Sequence, residues 1–328
     1  MKNTVKLCLI MAIFMIIGLS LSMASSDNEY PIELTNEENE WLKENRGRTF
    51  ILGLDPYAGK EYFIHNGEEK GYILDLIKSL EKDLGIDIEL ESNKSWGEVY
   101  SGLKTGEVDI LFGANETDER KKFMAFTKAI HKYPYALLSK KDSSIRTIGD
   151  IDGKNIGLME GDIVLKIFPQ VYKNINYTGK IYNDQNECVD ALINNEIDAF
   201  IVSGGSVVYE LIYEYHQLEY VSNINTITSD MTLSTRKEDE ILVKILDKEI
   251  QYLSTHYLPE VIGKATIDYN KEIMNLSEAE LKWLEEDGVA YIGIADDYLP
   301  FEYYEDGEYK GISGQIIKEI SNIIGIEF

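Results

Sequence analysis

Short apolar runs alternating with amphipathic stretches of helical period leave this chain few folds to choose from. Phe50–Leu54 is an apolar run of strand length. In GYILDLIKSLEKDLG, Ile73, Leu76, Ile77, Leu80 and Leu84 then recur at helical spacing until Gly85 stops the helix. Ile86–Leu90 reads as the next strand, Trp96–Lys104 as a helix ending near Gly106, and Val108–Phe112 as a third strand. A β-α-β-α-β order predicts parallel strands with helices on both faces. The same grammar restarts beyond Thr127. Strands are expected over Tyr133–Ser139, Asn155–Met159, Ile175–Ile181 and Asp198–Val202. Helices are expected after Gly161-Asp162 (closed by Pro169), over Gln185–Asn194 and over Ser206–His216. Leu233–Thr235 returns as a strand before the amphipathic helix Glu240–Leu253. The expectation is an α/β protein with two lobes joined by extended crossings near 138–141 and 226–235, hinged about a cleft.

An internal repeat sets the boundaries. LTNEENEWLKENRG (34–47) opens with Thr35, carries Glu38 three residues on as a capping box, and stops at Gly47. LSEAELKWLEEDG (276–288) echoes it, and residues 293–328 align without gaps on 53–88, with Gly53/Gly293, Gly67/Gly307, Gly71/Gly311 and Gly85/Gly325 coinciding. The domain reading is a lead helix at 34–47 and a two-lobed unit at 48–270. Its first lobe covers about 48–138 and 230–265, and its second about 139–229. The start of a second copy follows at 276–328, as in the front of a longer tandem protein.

The N-terminus and the charge speak to location. Lys2 and Lys6 precede LCLIMAIFMIIGLSL and then small residues, so residues 1–24 read as a signal peptide with cleavage after Ala24, or as an uncleaved signal anchor. The formal net charge is −26, and removing that segment takes away only the two lysines. Such a charge disfavours nucleic acid and anionic lipid as partners and suits an exported, extracytoplasmic protein. Cys188 is then the sole cysteine, placed in an amphipathic helix as a small core residue. The four histidines show no ligand spacing, and no metal motif, Ser-His-Asp order, phosphate loop or dinucleotide fingerprint is present. The expectation is therefore no cofactor, no metal and no catalytic constellation.

VDILFGANETDERKKFMAFT (108–127) carries the chemistry. It reads as a strand, a Gly113 break, a polar loop and a helix opened by Thr117, with Asp118 and Glu119 suited to the helix dipole. Arg120, one of only five arginines, does not suit that position. It is either an anion receptor beside free backbone N–H groups or one half of a surface salt bridge.

Residues 48–265 resemble the bacterial extracellular solute-binding proteins of family 3, the amino-acid-binding type. The resemblance rests on EEKGYILDLIKSLEKDLGI, GLKTGEVDILFGANETDERKKFMAFT, IGDIDGKNIGLMEGD and ALINNEIDAFIV. The lead helix and its recurrence resemble the tandem Venus-flytrap ectodomains of membrane sensors. The resemblance implies a type II periplasmic-binding-protein-like fold. It also implies that Asn115, Thr117 and Arg120 hold a ligand carboxylate, that the turn at Asp162 adds donors from the other lobe, and that an aromatic, Tyr57 or Tyr62, stacks on the ligand. Three departures stand out. Ser203 occupies the place of the family's ammonium-binding acid. Asp162 stands where a small neutral residue usually serves. Glu61 matches Phe301 of the second copy. Plainer roles compete: Tyr57 and Tyr62 as packing residues, Asp162 as an N-cap, Asp109 and Asp198 as turn residues. The expected function is extracytoplasmic binding of a small polar or amino-acid-like solute by lobe closure. It would serve a membrane signalling partner or downstream domain. The alternative is the binding component of an ABC-type importer, partnered by a permease.

Overall fold

The computed structural model describes residues 31–328 apart from 56, 57, 66, 275 and 296. The signal segment (1–24) and Tyr57 lie outside the described residues. Asn36–Glu44 (α1) is capped by Thr35 and Glu38 in the predicted capping box, with Leu42 buried beneath it.

The first sheet has the order β4-β1-β5-β12-β6, built from Thr49–Gly53 (β1), Asp87–Glu91 (β4), Ile110–Phe112 (β5), Met124–Phe126 (β6) and Leu233–Arg236 (β12). Strands β1, β4 and β5 are parallel as expected, but β12 runs antiparallel to both β5 and β6, so the sheet is mixed. Between β1 and β4 lie a hairpin, Phe63–His65 (β2) with Glu68–Lys70 (β3), and the helix Tyr72–Leu84 (α2). The helix buries the predicted stripe: Leu76 and Leu80 are fully covered, each such burial stabilising the fold by about 2 kcal/mol. Trp96–Thr105 (α3) covers the other face, its Val99 and Leu103 packing with Val108 and Leu111.

The second sheet has the order β11-β7-β10-β8-β9. Its strands are His131–Lys140 (β7), Asn155–Met159 (β8), Thr178–Tyr182 (β9), Ala199–Ser203 (β10) and Leu218–Met231 (β11), and its helices Val164–Val171 (α4), Gln185–Ile193 (α5) and Ser206–Glu214 (α6). Two differences from the sequence reading appear here. Pro169 stays inside α4 instead of closing it, because in an eight-residue helix its missing N–H removes one late bond while Phe168 is fully buried. Strand β7 pairs with β10 and β11 and buries Leu138 in the second lobe. The outbound crossing is therefore near 127–131, not 138–141. There Thr127 N–H donates to the Leu233 carbonyl (2.9 Å) and Ile130 N–H to that of Met231 (2.8 Å), holding the two crossings side by side.

The helix expected from Thr117 is also absent. Only a 3-10 turn at Arg120–Lys122 forms, because β6 begins at Met124 and is claimed by β12. Asp109 and Asp198 take the plainer roles: Asp109 accepts from the Ile51 amide and Arg48, and Asp198 from the Asn155 amide.

Glu240–His256 (α7) and Leu258–Ile273 (α8) complete the two-lobed unit. Helix α8 packs on α2, α7 and the 59–61 turn of the first lobe and also on α6 of the second. The Tyr269 hydroxyl donates to Glu210 of α6. The segment that follows holds Glu278–Glu286 (α9), Asp297–Tyr298 (β13), Glu302–Glu305 (β14), Glu308–Lys310 (β15) and Gly311–Ile324 (α10). Hairpin and helix repeat β2, β3 and α2. The parallel bridge Val289–Glu327 repeats the β1–β4 pair Thr49–Asp87 in the same register. The corresponding helix faces differ in cover: Leu76 and Leu80 are buried, whereas Ile316 and Ile320 are 54% and 37% exposed.

Candidate functional site

The carboxyl ends of the parallel strands of both sheets converge on one cleft, the place where open α/β sheets leave backbone groups and loops free to meet a ligand. The first lobe contributes Asp55 and Glu61 from the segment after β1, Trp96 from the start of α3, and Asn115 and Arg120 from the loop after β5. The second contributes Glu160–Ile163 after β8, Asp184 before α5, and Ser203 and Gly204 at the end of β10, while Tyr133, Tyr135, Ser229 and Met231 come from the crossing strands. The cavity, open to solvent on one side, holds about 150 Å³.

Arg120 is the hub. It is 7% exposed, its Nη1 donates to the Asn115 carbonyl (2.9 Å), and its Nη2 reaches across the cleft to the Gly161 carbonyl (3.2 Å). Its guanidinium carbon lies 5.1 Å from the Tyr100 ring centre and 5.9 Å from that of Trp96, within cation–π range. Thr117 is not on the wall; its Oγ1 accepts from the Arg120 amide (3.1 Å) and so fixes the turn that aims the side chain. Asn115 is buried and donates to the Thr228 carbonyl (2.7 Å), tying the loop to a crossing strand. At the rim, Lys166 of α4 pairs with Glu119 at 2.8 Å, a second cross-lobe contact.

Two acids face this space from enclosed positions. The Asp162 carboxyl accepts from the Tyr135 hydroxyl and from the Val164 amide (2.9 Å). Burial pushes its pKa up, and these donors and Arg120 oppose the shift. Glu61 is 3% exposed and accepts from the Tyr133 hydroxyl (2.7 Å); burial raises its pKa too. The same burial and the neighbouring acids hold the Tyr135 and Tyr133 hydroxyls protonated.

Of the residues singled out from the sequence, Arg120, Asn115, Asp162 and Ser203 therefore share one cavity, and Thr117 supports it. Tyr62 does not line it: it is buried, donates to Glu69 (2.7 Å) and accepts from Ser92 (3.0 Å) beside the hairpin. Trp96, Tyr133 and Tyr135 were not singled out, since nothing in a chain of 22 tyrosines marks the two that a crossing strand turns towards the cleft. Glu61 did carry a signal, in its mismatch with Phe301. Among the described residues, no group of three His, Cys, Asp or Glu could hold a metal ion, and no helix is long and apolar enough to cross a membrane.

Two α/β lobes on paired crossing strands, with a polar cleft between them, define a Venus-flytrap protein of the periplasmic-binding type. The model of the bacterial extracellular solute-binding proteins, family 3, matches residues 51–257, and the chain belongs to that family. It is 28% identical over 133 residues to the arginine-binding extracellular protein ArtP of Bacillus subtilis, covering 40% of this chain and 52% of that one. It is 22% identical over 312 residues to the sensor protein EvgS of Escherichia coli, covering 91% of this chain but 25% of the sensor. The chain thus spans about half or less of the length of these two relatives. The crystal structure of the periplasmic VFT2 domain of Bordetella pertussis BvgS superposes with a TM-score of 0.61 at 16% identity, over 71% of this chain and 99% of that domain. That likeness carries the fold.

Proposed function

We propose that the protein is an extracytoplasmic receptor whose lobes close over a small solute, and that it works as the sensory module of a transmembrane signalling receptor. The observation that carries the sensor reading is α8. It packs on both lobes and then on α10 of the following segment, where Asn270 donates to the Ile323 carbonyl (2.8 Å). A rotation of one lobe against the other must alter the α6–α8 contact, and α8 meets α10 directly. Closure is thereby coupled to whatever follows the binding unit.

The segment 276–328 acts, in this reading, as the opening of a second solute-binding domain. Its support is the repeated register and the exposed Ile316 and Ile320 of α10, whose first-copy counterparts Leu76 and Leu80 lie in the buried cluster that includes residues of α7 and α8. The relationship to the sensor protein EvgS along most of the chain favours a sensor. Asn115, Thr117, Arg120, Asp162 and Ser203 are the ligand-site residues of this reading. The family's extracellular character supports export, with residues 1–24 as signal peptide or anchor.

The second reading, the binding component of an ABC-type importer, is favoured by the relationship to ArtP, a binding protein by name. Arg120→Ala tests closure in either case. A solute held at 100 times its Kd stabilises the folded chain by about 2.7 kcal/mol. The variant is expected to stay folded and lose that stabilisation in a thermal-shift assay. Undiminished stabilisation would remove Arg120 from the mechanism. Sensor and importer separate on the α8–α10 contact: Asn270→Ala should leave solute affinity intact while uncoupling hydrogen exchange in α10 from solute addition.

A further inference from the structure

We infer that the cleft takes an organic cation that carries no carboxylate, an amine or guanidine compound, with Glu61 as its counter-charge and Arg120 as a strut between the lobes. The inference rests on the solute-binding reading and narrows it.

Three observations support it independently. Carboxylates dominate the charge of the wall: Asp55, Glu61, Glu160, Asp162 and Asp184 line the cavity, against Arg120 as the one lining base among the described residues. Next, the Arg120 fork is engaged. Each terminal nitrogen donates to a backbone carbonyl, one in each lobe, and the group is 93% covered, being 7% exposed. A carboxylate would have to bind through the N–H groups that remain on a guanidinium already bridging both lobes. It would also bring its charge against Asp162, which already feels the arginine. Finally, Glu61 is buried on the wall with a neutral partner, the Tyr133 hydroxyl. Lys60 acts on it electrostatically but lies over the Tyr133 ring, 5.7 Å from its centre, and is not part of the cavity wall. A buried carboxyl so placed gains from a cation entering the cavity. Where β10 ends, Ser203 is neutral, so the second lobe offers no acid at that position for an α-ammonium group.

The volume suits a small solute. A cavity near 150 Å³ accepts a solute of roughly six to ten non-hydrogen atoms, the range of linear diamines and agmatine.

The test is isothermal titration calorimetry on the full chain with matched pairs: agmatine against arginine, putrescine against ornithine, and glutamate as the anionic control. The decarboxylated member of a pair is expected to bind at least tenfold more tightly than the amino acid, and glutamate not to bind. Glu61→Gln is expected to weaken the better cation at least tenfold. Tighter binding of the amino acids, or binding of glutamate, would overturn the inference and return Arg120 to the carboxylate. Unchanged affinity in a folded Glu61→Gln chain would overturn the role of Glu61. The pairs on the unaltered chain decide the ligand class even where the variant does not fold. Binding of a neutral solute with no cation bound would sink the cation reading and leave lobe closure standing.

Discussion

Gly71 holds φ at +117°, and a Cβ there would stand 2.3 Å from the Glu61 carbonyl oxygen. No side chain can occupy that point, because the entry to α2 passes directly behind the turn that presents Glu61. Gly71→Ala is therefore expected to cost roughly 2 kcal/mol or more, both from the left-handed backbone and from the clash. It should also weaken solute binding by moving Glu61. Urea denaturation and calorimetry on the same variant check both halves. Gly204 is a similar case at the cavity wall, where a Cβ would lie 2.0 Å from the Pro134 carbonyl oxygen. Neither requirement is visible from composition; Gly71 was marked only by its recurrence as Gly311. Cys188, by contrast, was legible. It is buried with its thiol pushed up to about 12, so native protein should resist thiol alkylation and unfolded protein should react rapidly.

At the scale of elements, α7 contains an anomaly that its periodicity conceals. Glu249 is fully buried among Leu246, Ile250 and Leu253, neither of its oxygens has a hydrogen-bond partner, and its pKa is raised to about 7 by burial, with Asp83 of α2 adding repulsion. The sign follows from linkage. The folded chain keeps this carboxyl protonated up to about pH 7, whereas the unfolded chain releases the proton near the ordinary glutamate value. Stability contributed by the site is thus intact in acid and lost as pH rises between those values, by about 3 kcal/mol at most. Glu249→Gln is expected to gain stability above pH 7.5 and to flatten the profile from pH 5 to 7, as read by denaturation at a series of pH values. The amphipathic stripe of α2, in contrast, was predicted residue by residue, since five positions at helical spacing admit one buried face. The turn at Arg120 was misread as a helix because its cap and charges are helical in type. The pairing of β6 with β12, from more than 100 residues away, leaves no room for one.

Across the whole molecule, α8 is the element on which the two lobes and the following segment meet. Tyr269→Phe removes the hydroxyl that donates to Glu210 of α6. Glu210 is itself poorly solvated, its pKa raised by burial, so an unpaired acid would remain at the junction. The expected outcome is a chain that folds but closes less readily. Solution scattering should show a larger radius of gyration and a weaker response to solute than in the unaltered protein. An unchanged scattering curve would mean that α8 does not restrain the lobes.

The alternation of strand and helix patterns, the repeat at an offset of 240 residues and the presence of a polar loop with an out-of-place arginine were all fixed locally, by spacing and residue type. They were sufficient for two α/β lobes. Strand direction, the position of the crossings, the exclusion of Tyr62 from the cleft and the arrival of Tyr133 and Tyr135 in it depend on pairings between distant segments. Such pairings follow from which edge each strand finds free and which face the core claims, and no window of sequence contains both partners. The same holds for Arg120. Its chemistry is written in its side chain, but that its fork is taken up by carbonyls of both lobes is a fact of tertiary structure alone.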